Sequence, residues 1–140
     1  MNEIIEKLKE VLIEKCKPEA IILFGSYARG TQNNESDIDI AIKTNQKMSK
    51  LDIFNLKNEL EEIAKKDIDL INLDMLNSDG FKYEILVNGI EIYCEDKFKF
   101  DLYKLDMYRE YLELNESRQE IINMIKEGDE PYGKSSSNNQ

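Results

Sequence analysis

Two carboxylates one residue apart, Asp37 and Asp39, follow a Gly25-Ser26 pair after ten intervening residues. In an extended strand, side chains alternate with period two. Asp37 and Asp39 therefore leave the backbone on one face while Ile38 and Ile40 point to the other. Like charges at that separation repel and cost stability. A divalent cation between them removes the cost. Mg²⁺ suits the arrangement, because it takes hard oxygen ligands and reaches proteins through one or two carboxylates plus substrate phosphates. Gly25, with no Cβ, admits a positive φ or a close ligand approach. The amides of Ser26 and Tyr27 and the Ser26 hydroxyl are then donors for phosphate oxygens, as in backbone anion nests. Arg29 offers either a phosphate contact or an ion pair with a neighbouring carboxylate. Each feature alone has a plain structural reading: Gly-Ser is a common turn signal in which Ser26 caps a helix, and an Asp-x-Asp pair on a surface strand is commonly just solvated. Their order along the chain turns them into a candidate nucleotide site.

A second acidic strand follows later. In Asp67–Leu73, Ile68, Leu70, Ile71 and Leu73 are strand formers, and Asp67 and Asp69 share a face. A carboxylate in such a setting is costly unless it is paired or metal-bound. Asp67 stands at the strand entrance, whereas Asp69 has apolar neighbours on both sides. The residues alone leave three readings open: Asp67, Asp69 or neither of them is metal-bound.

Gly25-Ser26 followed by Asp37-x-Asp39 resembles the signature of the DNA polymerase β-like nucleotidyltransferase superfamily. The fuller string GSYARG…SDIDIAI resembles its minimal nucleotidyltransferase branch, which includes the antitoxins that pair with HEPN-domain toxins. The resemblance covers about residues 1–95 well and the C-terminal segment loosely. It implies Mg²⁺-dependent transfer of AMP from ATP to a hydroxyl, here a tyrosine of a cognate HEPN toxin, with this chain acting as antitoxin. It also implies a third acid on the next core strand, a position that Asp69 matches. The implied catalytic and metal set is Asp37, Asp39 and Asp69, holding two Mg²⁺ ions. Gly25, Ser26 and Arg29 would hold the nucleoside triphosphate. The alternatives are an antitoxin that neutralises its partner by binding alone, and a nucleotidyltransferase acting on a small molecule such as an aminoglycoside.

The elements that must position these residues are legible from periodicity. Ile4, Ile5, Leu8, Val11 and Leu12 recur at helical spacing and predict a helix over 2–16, which Pro18 stops. Ala20–Phe24 is a continuous apolar run, the pattern of a buried central strand. Tyr27–Gly30 predicts one helical turn closed by a left-handed Gly30. Asp37–Lys43 is the acidic strand. Ser49 and Asp52 form a capping box with Asp in the usual Glu or Gln position, opening a helix through about Lys65. Asn77–Gly80 starts a short helix to Val87, Asn88-Gly89 is a tight-turn signal, and Ile90–Cys94 is a final half-buried strand. Beyond Phe98 the pattern is helical and aromatic-rich, with a break expected at Asn115–Ser117. This segment either packs across the domain or offers a partner surface. The fold class is α+β: a small mixed sheet of about four strands backed by helices, with a long C-terminal helical segment. One nucleotidyltransferase domain is expected over 1–127, with a core at 1–95, C-terminal helices at 97–127 and a disordered tail at 128–140.

Bulk chemistry removes several function classes. With no histidine among 140 residues, Ser-His-Asp and Cys-His catalysis and His-ligated zinc are excluded. A formal net charge of −10 argues against free nucleic acid as a partner, since phosphate binding rests on Lys and Arg. It is compatible with a basic protein partner. Cys16 and Cys94 each follow an apolar run and read as small buried or half-buried thiols. The charged N-terminus lacks a signal-peptide core and no apolar run approaches the roughly 18 residues of a membrane span. A cytoplasmic, reducing setting is therefore expected.

Overall fold

The computed structural model of the protein describes residues 2–33 and 36–129. Its elements run α1 (Asn2–Cys16), β1 (Ala20–Phe24), α2 (Ser26–Arg29), β2 (Ile38–Lys43), α3 (Lys50–Ala64), β3 (Ile68–Asn72), a 3₁₀ turn (Leu73–Met75), α4 (Asp79–Asn88), β4 (Ile90–Cys94) and α5 (Lys97–Asp129). The strands form one mixed sheet in the order β3-β2-β1-β4. β1 is antiparallel to both β2 and β4, while β2 and β3 are parallel. The parallel pair is possible because α3 supplies the long crossover that such strands need. All five residues of β1 are buried, as expected of a central strand.

Alternation divides the sheet into two faces. Ile21 and Leu23 of β1, Ile38, Ile40 and Ile42 of β2, and Ile68 and Leu70 of β3 join Leu8 and Leu12 of α1 and Leu56, Leu60 and Ala64 of α3 in one core. The opposite face carries Ile22 and Phe24, level with Ala41 and Asp39. There α4 closes over β1, with Ile85 and Leu86 buried and Phe81 edge-on to Phe24 at 5.9 Å between ring centres. The acidic residue of β2 therefore lies on the sheet face turned away from α1 and α3.

Local signals held where they were self-sufficient. The capping box is formed in both directions: Asp52 N–H donates to Ser49 Oγ at 3.1 Å and Ser49 N–H to Asp52 Oδ2 at 2.9 Å. Gly30 closes α2 in the left-handed region at φ 74°. Asn88-Gly89 departs from its reading as a tight turn. α4 continues to Asn88, and Gly89 has φ −76°. Glycine is required there for space, because a Cβ would lie 2.4 Å from Ile22 Cγ2 and 2.5 Å from the Ile85 carbonyl.

The chain divides into two compact units, 1–104 and 105–140. Lys97–Lys104 of α5 belongs to the first, where Phe100 is buried and stacks on Tyr103. The described part of the second is the rest of α5, an uninterrupted helix on which Leu105, Leu112, Leu114, Ile122, Met124 and Ile125 are exposed. The break expected at Asn115–Ser117 is absent. Asn and Ser are only moderate helix formers, not breakers, and Asn115 Oδ1 accepts from Arg118 at 3.3 Å one turn on. The helix also runs two residues past the expected boundary at 127. Residues 130–140, most of the expected disordered tail, lie outside the described residues. Among those described, no helix is long and apolar enough to cross a membrane.

Candidate active site

The site is built around the bend at the end of β1. Gly25 has φ 71° and ψ −146°, a region almost restricted to glycine. A Cβ built on Gly25 would lie 2.0 Å from Asp39 Oδ2. The glycine thus serves a second purpose beyond backbone freedom: it lets the Asp39 carboxylate rest against the turn. Asp39 is opposite Phe24 in the β1–β2 register, so the acid sits level with the last residue before the bend.

Gly25 occupies the capping position of α2 and Ser26 is its first residue. The plain reading of Ser26 as a helix cap is therefore not what the chain uses. The Ser26 carbonyl accepts from the Thr31 amide at 3.0 Å, and the Arg29 amide donates to the Gly25 carbonyl at 3.1 Å. These bonds hold the turn rigid. The first amides of a helix have no acceptor within it, so those of Ser26 and Tyr27 remain donors. Arg29 is exposed at the end of the turn.

Parallel pairing sets Asp69 of β3 level with Asp39 of β2. Asp67 lies one residue before β3 and contributes its carbonyl to the Ile38 amide at 3.1 Å. Asp37 and Asp69 are exposed and Asp39 is half-buried. The Asp39 carboxyl is pushed above the usual carboxylate range, first by burial and then by the negative charges of Asp69 and Asp37, while Arg29 opposes the shift. Burial of the carboxyl thus comes first, and the like charges around it add to the shift.

Among the described residues no three acidic, cysteine or histidine side chains close around a single ion position. An all-protein cage would be expected to do so. The donor set nonetheless fits Mg²⁺, which keeps several ligand positions for water and substrate phosphate and takes one or two carboxylates from the protein.

Beside Gly25, on the side of α4, lies a cavity of about 210 Å³ whose walls include Phe24, Arg29, Phe81, Glu84 and Asn88. Sequence reasoning gives α4 only as a short helix and misses its contribution to this cavity. The signal was present: Phe81, Glu84 and Asn88 recur at i, i+3 and i+7, one helical stripe that mixes an aromatic ring with polar groups.

The sequence profile described as Polymerase beta, Nucleotidyltransferase matches residues 6–98, a span containing the bend, the three acids and α4. The chain belongs to that nucleotidyltransferase family. Protein adenylyltransferase MntA of Shewanella oneidensis is 30% identical over 126 residues, covering 89% of this nucleotidyltransferase and 86% of MntA. A Methanocaldococcus jannaschii protein described as a protein adenylyltransferase is 38% identical over 85 residues, 61% of this chain and 87% of its own. A chain in a solved toxin–antitoxin complex with AMP-PNP superposes with a TM-score of 0.76 at 27% identity, covering 86% of this nucleotidyltransferase and 97% of that chain.

Proposed function

We propose that this nucleotidyltransferase is the antitoxin of a HEPN-class toxin and acts by Mg²⁺-dependent transfer of AMP from ATP to a tyrosine hydroxyl of that partner. The observation that carries the reading is the Asp39 carboxylate resting on Gly25, level with Asp69 and short of positive charge. The family resemblance of the motif, the adenylyltransferase names of the relatives and the AMP-PNP complex of a similar chain all support it.

In the reaction the acceptor oxygen bonds to the α-phosphorus and the bond from that phosphorus to the bridging oxygen breaks. Pyrophosphate leaves and the hydroxyl proton passes to a base. Asp37 and Asp39 would hold Mg²⁺ on the phosphates, with a second ion shared with Asp69; the ions would neutralise the charge of the attacking and leaving oxygens. Asp69, exposed on the edge strand, is the group assigned to take the proton. Gly25, Ser26 and Arg29 orient the triphosphate, and orientation is a large part of phosphoryl-transfer catalysis. A protein acceptor is favoured over a small one by the run of exposed leucines and isoleucines on α5.

The test uses purified protein, Mg²⁺, ATP labelled on the α-phosphate and a HEPN-domain toxin as the candidate partner. Label on a partner tyrosine, lost with Asp39→Asn, is the expected result. A toxin neutralised equally well by the wild type and by Asp39→Asn, without label, would establish binding alone and overturn the enzymatic reading.

A further inference from the structure

Asp37, Asp39 and Asp69 do not line the cavity between the bend and α4, yet Gly25 does, and Asp39 rests against that glycine. A ligand seated in it is separated from the Asp39 carboxylate by the width of one glycine. Its volume of about 210 Å³ is below the roughly 300 Å³ at which pockets for drug-sized ligands begin. That is room for a single ring system, with the remainder of the ligand extending along the turn.

The lining chemistry points to the kind of ring. Phe81 stays 39% exposed although its own ring is already fixed edge-on against Phe24. An ordered aromatic surface of this kind is what a base plane covers. Asn88 Nδ2 donates to Glu84 Oε2 at 2.7 Å. A carboxamide has two N–H donors and one acceptor oxygen, so this bond uses one donor and leaves a second N–H and Oδ1 for a ligand. Donor next to acceptor complements the amino group and ring nitrogen of adenine. Guanine presents a carbonyl oxygen where adenine presents its amine, and would set oxygen against Asn88 Oδ1.

We propose that this cavity is the adenine-reading part of the nucleotide site, with Phe81 as the ring surface and Asn88 as the discriminating amide. The proposal rests on the nucleotidyltransferase reading and adds the base to it. Arg29, which lines the same cavity and acts electrostatically on Asp39, joins the base compartment to the phosphate compartment.

The test is calorimetric binding of Mg-ATP, Mg-GTP and Mg-tripolyphosphate to the full chain, to Asn88→Leu and to Phe81→Leu, with thermal melts confirming that each variant is folded. The expected wild-type preference for ATP over GTP is about tenfold or more, the scale of one bidentate base contact. Asn88→Leu should erase that preference and leave tripolyphosphate binding within about twofold. Phe81→Leu should weaken both nucleotides and spare tripolyphosphate. A wild type without preference, or an Asn88→Leu variant that retains it, overturns the base assignment while ATP and tripolyphosphate binding keep the enzyme reading intact. Failure of the wild type to bind either ATP or tripolyphosphate would remove both.

Discussion

The two ends of β2 carry charge on the same face of the sheet and treat it in opposite ways. At the far end, Lys43 is 8% exposed and fully partnered. Its Nζ lies 3.5 Å from Glu19 and 3.2 Å from Asp74, donates to Asn45 Oδ1 at 3.4 Å and sits 5.2 Å from the centre of the Tyr103 ring. Glu19 in turn accepts from Asn45 at 2.6 Å and pairs with Lys99 at 3.4 Å. At the near end, Asp39 faces two further carboxylates with only Arg29 in opposition. The carboxyls move accordingly. Burial alone would raise Glu19, but Asn45, Lys43 and Lys99 more than reverse it and hold it low, whereas Asp39 is held high. Four residues along one strand separate charge that is satisfied within the fold from charge held among like charges. The first ties β2 to the start of α5; the second sets like charges beside one another, the cost that the proposed cation would remove.

The largest effect expected from this contrast is at the unsatisfied end. On the proposed mechanism, Asp39→Asn should lower AMP transfer by about a thousandfold or more, since it removes a group assigned to hold the ion at the developing charge. The same change should leave the melting temperature unchanged or higher, because it relieves like-charge repulsion worth up to about 1 kcal/mol. Labelled-ATP turnover and a thermal melt on the same preparation check both halves, and a sharp loss of stability would erase the distinction between the two ends. Next in size is Gly25→Ala. It places a Cβ 2.0 Å from Asp39 Oδ2 at φ 71°, so the carboxylate must move or the turn must distort. A loss of about 1–3 kcal/mol of stability together with most of the transfer activity is expected, read by urea unfolding and by turnover per folded molecule.

What the residues revealed in advance follows from how locally each feature is determined. Gly25-Ser26 and Asp37-x-Asp39 are recognised by short-range spacing alone, and strand alternation is what predicts a shared face for the two acids, although β2 itself begins only at Ile38. The capping box at Ser49 and the left-handed Gly30 were equally local. The placement of Asp69 beside Asp39 depends on a parallel register formed across the whole of α3, which no window of residues encodes; only the family resemblance separated it from Asp67. Gly89 was misread because Asn-Gly favours hairpins locally, while its real constraint is Ile22, far away in the chain. The α4 wall of the cavity escaped notice for a related reason. Phe81 and Asn88 matter through what they face, and a helix stripe mixing ring and amide resembles an ordinary amphipathic edge.

At the satisfied end the contrast sharpens under acid. Glu19→Gln should cost about 1–3 kcal/mol, the usual penalty for weakening a charge-assisted bond around a buried partner, here Lys43. Activity per folded molecule should be retained. Because folding holds the Glu19 carboxyl below its ordinary value, the unfolded chain binds its proton first. The stabilisation is therefore complete above the ordinary glutamate range near about 4.3 and is lost as pH falls through the lower folded value. Urea unfolding between about pH 6 and 3 should show the wild type losing its advantage over Glu19→Gln as the solution acidifies. A constant gap would mean that Glu19 contributes by packing and not by charge.

The smallest effect comes from α2 itself. Tyr27 is 6% exposed within the core, and its buried hydroxyl has no hydrogen-bond partner among the described residues. An unpaired buried hydroxyl has lost its water without replacement. Tyr27→Phe should therefore be neutral or stabilising by about 1 kcal/mol, measured as a shift in urea midpoint at constant slope. Since the ring remains, the turn that carries Ser26 and Arg29 keeps its anchor and transfer should be unchanged. If instead Tyr27→Phe destabilises the fold or depresses turnover, the hydroxyl has a partner in the working enzyme. The boundary drawn along β2 would then be incomplete, because a satisfied polar group would belong to the same turn that carries Ser26 and Arg29.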